Sequence, residues 1–133
     1  MQRQQYILIV ENDKTLQELF TVILTDHGHA VVTAGTAQEA EAAMAELGPT
    51  AIGLVISEIN LARHHTTSEG YDLYQRWTMA HPSLPYLLIS GDRVTTACLS
   101  TRDSGVACLT KPFGLNELLN AVHALLRRCL YDE

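Results

Sequence analysis

A chain of 133 residues, nearly half of them apolar, is one domain of common size, long enough to bury most of the surface its unfolded form exposes. Its formal net charge of −6 argues against a nucleic-acid-binding surface, which needs clustered Lys and Arg. No apolar stretch approaches the roughly 18 residues that span a bilayer and no signal-peptide pattern opens the chain, while Cys98, Cys108 and Cys129 each sit in an apolar pattern, so the expectation is a cytoplasmic protein with buried, reduced thiols.

The first predicted strand is Tyr6-Ile7-Leu8-Ile9-Val10, closed by Glu11-Asn12-Asp13. A helix follows, with Leu16, Leu19, Phe20, Ile23 and Leu24 recurring at helical spacing. Asn12 or Asp13 can cap its start and Gly28 stops it after His27. His27 and His29 flank that stop, where a partly charged imidazole suits the helix C-terminus. Ala30 to Thr33 is the second strand. Thr36-Ala37-Gln38-Glu39 has the form of a capping box and opens a helix presenting Ala40, Ala43, Met44 and Leu47, which Gly48-Pro49 ends.

The third strand, Ile52 to Ser57, runs into Glu58. The stretch from Asn60 to Glu69 is polar and without period, so it is predicted as a loop; its adjacent His64 and His65 read as ordinary solvated residues. Gly70 leads into a helix with Leu73 and the core residue Trp77, terminated around His81-Pro82. Tyr86 to Ile89 is the fourth strand, ending at Ser90. A fourth helix over about 93–103 is the weakest prediction, since Val94, Thr95 and Thr96 are poor helix formers. Val106 to Leu109 is the fifth strand. The last helix, Leu115 to about Leu130, carries Leu115, Leu118, Leu119, Val122, Leu125, Leu126 and Cys129 on one face.

Five strands alternating with five helices over short connections mean right-handed crossovers and one parallel sheet covered on both faces. With no repeat and no linker, the whole chain (core about 6–130) is expected to be one domain. In such a sheet the strand C-termini share an edge where ligands bind. That edge would gather the acids after the first strand, Glu58, Ser90 and the Lys111-Pro112 pair. No Gly-rich phosphate loop follows the first strand, which excludes dinucleotide and NTP binding. Acids in that place suit a hard cation held by oxygen ligands.

The segments Ile7-Leu8-Ile9-Val10-Glu11-Asn12-Asp13, Leu54-Val55-Ile56-Ser57-Glu58, Leu88-Ile89-Ser90-Gly91 and Leu109-Thr110-Lys111-Pro112-Phe113 resemble response-regulator receiver domains of two-component signalling, in the family's order and over almost the whole chain. The resemblance implies a flavodoxin-like, doubly wound (βα)5 fold with strand order 2-1-3-4-5. It also implies a signalling module rather than an enzyme. By the same resemblance, Glu11 and Asn12 stand where two acids hold Mg²⁺, and Asn60 where a backbone carbonyl binds the metal. Glu58 matches the phosphoacceptor aspartate, Ser90 the hydroxyl and Lys111 the amine that contact the phosphoryl group. Cys108 matches the aromatic reporter of phosphorylation, and Pro112 the proline that often follows a cis peptide bond.

The departures carry as much weight as the matches. Glu58 is one methylene longer than aspartate, which moves its carboxylate outward by about 1.5 Å, and positioned chemistry loses about 10²-fold for an error of about 1 Å. Asn12 removes a charge from the metal position, so Mg²⁺ binding should be weak. Cys108 has no ring to swing. Gly70 lies twelve residues after Glu58, further on than receivers usually place it.

These changes fall on acceptor, metal ligand and readout together. The expectation is therefore an atypical, phosphorylation-independent receiver that binds a protein partner such as a histidine kinase, another regulator or a second copy through the fourth and fifth helices and fifth strand. Neither nucleic acid nor membrane is expected as a partner. A receiver with residual Mg²⁺-dependent phosphoryl acceptance, and a metal or ligand sensor acting through loop 60–70, are the competing readings. Glu58 itself has two readings, a partial mimic of the phosphorylated state or a fixed charge paired with Lys111; the absent reporter ring favours the second. The sequence indicates no pathway.

Overall fold

The computed structural model describes residues 5–59, 69–91 and 106–131, the last four of these by their backbone alone. Its elements are β1 (Tyr6–Val10), α1 (Lys14–Asp26), β2 (Ala30–Ala34), α2 (Ala37–Leu47), a single 3₁₀ turn (Pro49–Ala51), β3 (Ile52–Glu58), α3 (Glu69–Ala80), β4 (Tyr86–Ser90), β5 (Val106–Thr110) and a C-terminal helix (Leu115–Tyr131). The helix predicted over about 93–103 and the loop carrying Asn60, His64 and His65 lie outside the described residues, as do the side chains of Cys98 and Cys129. Among the described residues, no helix is long and apolar enough to cross a membrane.

The five strands form one sheet in the order β2-β1-β3-β4-β5, and every pairing is parallel. Period-2 alternation divides its side chains cleanly. Leu8, Val10, Val55, Tyr86 and Leu88 pack under α2 and α3 with Met44, Leu73, Tyr74 and Trp77. Ile7, Ile9, Leu54, Ile56, Leu87 and Ile89 pack under α1 and the C-terminal helix with Phe20, Leu24, Leu118 and Val122. All seven residues of β3 are buried, Glu58 included, so the strand runs one residue beyond its predicted end.

Local signals set the helix boundaries. The Asp13 carboxylate accepts from the N–H groups of Thr15 and Leu16 at 2.9 and 3.3 Å, which settles the α1 cap on Asp13 and leaves Asn12 exposed. Thr36 Oγ1 accepts from the Glu39 N–H at 3.0 Å. Gly28 and Gly48, at the ends of α1 and α2, carry φ of +87° and +86°, a region that glycine enters without a Cβ penalty. Two residues assigned to apolar faces turn outward: Leu19 and Leu115 are 50% and 51% exposed. Each sits at the margin of a stripe whose centre, Phe20–Leu24 or Leu118–Val122, already fills the layer.

Gly70 fixes how α3 meets the sheet. A Cβ there would overlap the carbonyl oxygens of Glu58 and Ile59, so the helix approaches the end of β3 at a distance only glycine permits. The Tyr71 N–H donates to the Ile59 carbonyl at 3.2 Å and secures the approach. Despite its late position in the sequence, Gly70 thus seats α3 directly on the residue that closes β3. Gly70→Ala should destabilise the fold by about 1–3 kcal/mol through this overlap; urea unfolding followed by Trp77 fluorescence measures it, and an unchanged midpoint would refute the contact.

Candidate functional site

The parallel sheet aligns the C-terminal ends of β1, β3, β4 and β5 on one edge. In register, Val10 pairs with Ser57, Glu58 with Ile89, and Ser90 with Thr110. The residues just beyond, Glu11 and Lys111, therefore flank Glu58 and Ser90. Backbone bonds fix each end: the Glu11 N–H donates to Ala34 at 2.9 Å, the Ile59 N–H to Ile89 at 2.9 Å and the Lys111 N–H to Ser90 at 2.8 Å.

Lys111 closes the edge. Its Nζ lies 2.8 Å from Glu58 Oε2 and 3.5 Å from Glu11 Oε1. Both carboxylates are buried, at 7% and 2% exposure, so each needs a countercharge or strong donor. Glu11 has a second one, because its Oε2 accepts from the Asp13 N–H at 3.1 Å. The Gln17 amide donates to the Glu11 carbonyl at 3.1 Å and ties α1 to the same residue. Burial alone would lower the Lys111 pKa, but hydrogen bonding and attraction from Glu58, then Glu11, outweigh it and raise the value. The stability this pair contributes is full below the unfolded lysine value and is lost only as pH rises through the raised folded one, so the ammonium is intact at neutrality.

The neighbouring groups divide in their chemistry. Ser90 is buried at the end of β4, one strand from Glu58. Ser57 points into the α2–α3 side as its parity requires, and its hydroxyl donates to the Glu58 carbonyl at 3.2 Å. Cys108 sits opposite Leu88, half-buried and free; burial pushes its thiol up to about 11, so it is a neutral packing group rather than a nucleophile. The Lys111–Pro112 peptide is cis. Phe113 stacks on Phe20 with ring centroids 6.0 Å apart, which couples the β5 end to α1. Beside Glu11 opens a polar recess of about 220 Å³ lined by Asn12, Lys14, Gln17, Thr33, Gly35 and Glu39.

Of the candidate residues named from sequence, the structure thus brings Glu11, Glu58, Ser90 and Lys111 to one edge, puts Asn12 on its exposed rim and sets Cys108 within β5. Asn60 lies outside the described residues. Gln17 and the close approach of Gly70 are not apparent from sequence. Gln17 is one of several polar residues on α1 and carries no local signal, whereas a glycine opening a helix is a signal that its spacing obscures.

Comparison with known proteins agrees with this architecture. Residues 7–123 match the response regulator receiver domain family. The chain is 37% identical over 123 residues to the transcriptional regulatory protein PmrA of Pectobacterium parmentieri, covering 92% of this chain and 52% of that protein. It is 30% identical, with the same coverage, to the virulence transcriptional regulatory protein PhoP of Salmonella typhimurium. The chain therefore spans about half the length of these curated relatives. Among solved structures, NtrX from Brucella abortus superposes with a TM-score of 0.82 at 28% identity, over 98% of this chain and 28% of that one. A CheY-like receiver domain protein from Methanospirillum hungatei gives 0.80 at 22% identity, over 98% and 100%, a likeness of fold. With the parallel order 2-1-3-4-5 and the acid–lysine edge already in place, this chain belongs to the response regulator receiver domain family of two-component signalling.

Proposed function

We propose that the chain is an atypical receiver domain, a phosphorylation-independent protein-interaction module in which Glu58 is a fixed charge at the acceptor position. The observation that carries this reading is the 2.8 Å contact of Glu58 Oε2 with Lys111 Nζ at a buried edge. A phosphoryl group would bring about −1.5 to −2 charge and three acceptor oxygens; the glutamate supplies one charge, already matched by the lysine. Glu58 is therefore at most a partial mimic of a phosphorylated acid, and the pair is better suited to holding one arrangement than to switching between two.

The donor set supports the same reading for the metal. Glu11 Oε2 accepts from the Asp13 N–H, its Oε1 faces Lys111, and the adjoining residue is the amide Asn12 in place of an acid. Mg²⁺ demands near-ideal octahedral oxygen coordination, and these residues do not fit it as a resident ion. Among the described residues, no cluster of three or more His, Cys, Asp or Glu is placed to hold a metal. At the reporter position, the neutral Cys108 has no ring through which a change at Glu58 could be displayed.

Receiver domains engage histidine kinases and other regulators. On this reading, residues 6–130 form one receiver unit that meets such a partner, or a second copy, without prior phosphoryl transfer. The transcriptional role printed for PmrA and PhoP belongs to proteins about twice as long, and a regulatory output for this chain is part of the proposal.

Incubation with Mg²⁺ and acetyl phosphate, followed by intact mass, is expected to leave the chain unmodified; a stoichiometric phosphoryl adduct overturns the proposal. Glu58→Asp should phosphorylate poorly and Glu58→Asp with Asn12→Asp distinctly better, so efficient labelling of the single variant would show the metal position to be sound. Lys111→Met should destabilise the fold by about 2 kcal/mol or more, because two buried carboxylates lose their countercharge, and Glu58→Met should recover much of that loss in the double variant. Additive losses in the urea-unfolding cycle would count against the clasped pair.

A further inference from the structure

Three imidazoles meet far from the acid–lysine edge. His27 is the C-cap of α1, His29 immediately precedes β2 and His123 lies on the C-terminal helix. The rings of His29 and His123 have centroids 5.6 Å apart, and those of His27 and His123 lie 6.4 Å apart. The corner is therefore built from three elements, and it occupies the end of the sheet opposite the strand C-termini. The His29 Nε2 atom is buried and has no hydrogen-bond partner.

We propose that His27, His29 and His123 form an acid-sensitive clasp, which holds the C-terminal helix against the α1–β2 corner when the rings are neutral and loosens it when they charge. The rings meet at tilts of 44° and 52°, a contact that suits neutral imidazoles better than like-charged ones. A proton at His29 Nε2 would place an N–H donor at a buried atom with no acceptor, in a half-buried residue. It would also stand beside the imidazoles of His123 and His27, whose charges oppose it. The residues of β2, Ala30–Ala34, are uncharged. On α1 the adjacent Asp26 is exposed, and on the C-terminal helix Arg127, one turn beyond His123, is exposed too. His27 differs from the other two, because its Nδ1 lies 2.9 Å from the Ile23 carbonyl at a helix C-terminus, where a positive ring is tolerated. Protonation is thus opposed most at His29, whose buried Nε2 has no acceptor.

Burial, then the charges of His123 and His27, lower the His29 pKa from its ordinary 6.5. A base with a depressed folded pKa contributes stability that is full above the unfolded value and is lost as pH falls through the folded one. The sequence pairs His29 with His27 as partly charged partners of the helix end; the structure adds His123 beside His29, where burial and the neighbouring imidazoles disfavour the charge. An input of this kind acts on the helix that begins just after Lys111-Pro112-Phe113, and it needs no phosphoryl chemistry.

The test uses the full chain. Imidazole NMR titration from pH 8 to 4.5 should give His29 a midpoint below 6.5, moving up toward that value in His123→Gln. The urea midpoint should fall between pH 7.5 and 5.5, and that fall should shrink in both His29→Gln and His123→Gln but persist in His81→Gln, a histidine on the α3–β4 turn. If His29→Gln fails to fold, the wild-type titration and His123→Gln decide alone. A His29 midpoint at or above 6.5, or an undiminished acid-induced fall in His123→Gln, overturns the clasp.

Discussion

A carboxylate at the end of a strand sealed on both faces must be neutralised, and this requirement organises the molecule. All seven residues of β3 are buried, so Glu58 cannot turn to bulk water as a carboxylate at an open sheet edge would. The countercharge arrives from another part of the chain, on the residue just beyond β5. For Lys111 to reach within 2.8 Å, β4 must bring β5 into register, the Lys111 N–H must bond Ser90, and Phe113 must seat on Phe20. The pair is thus a consequence of the whole topology, and its net contribution is set by what its breaking would leave uncompensated rather than by Coulomb attraction alone.

Much of this arrangement is legible in the amino-acid sequence. Strands covered on both faces read as unbroken apolar runs, so β1, β3 and β4 can be placed to within a residue, and the parallel sheet follows from the short crossovers. Glu58, Ser90 and Lys111 can be gathered at one edge because each closes a strand. What the sequence hides depends on side-chain competition or on distant packing. Asn12 and Asp13 are both good caps, and only geometry shows that Asp13 takes the role. Leu19 and Leu115 keep helical spacing yet face outward, because periodicity locates a stripe but not its width. His29 reads as a helix-end residue because the sequence displays its neighbours along the chain and conceals His123.

On the proposed reading, the changed positions also alter what the edge can communicate. In a receiver that runs on phosphoryl transfer, a charge gained at β3 has to be felt at β5. Here the β5 position holds a neutral thiol against Leu88, while the larger polarisable groups on that side, Tyr71, Tyr74 and Tyr86, form an edge-to-face series running from α3 to the floor of β4. Tyr86 is fully buried and packed by its neighbours, so this series is built for rigidity.

The clearance at Gly70 has a consequence for how the family can diversify. The Ile59 N–H is anchored to Ile89 and the Ile59 carbonyl to Tyr71, while Gly70 rests on the Glu58 and Ile59 carbonyls. The end of β3 and the start of α3 are therefore tied to each other and to the sheet by contacts of their own, and a receiver that keeps those contacts keeps the position of Glu58 whatever residues it places between them.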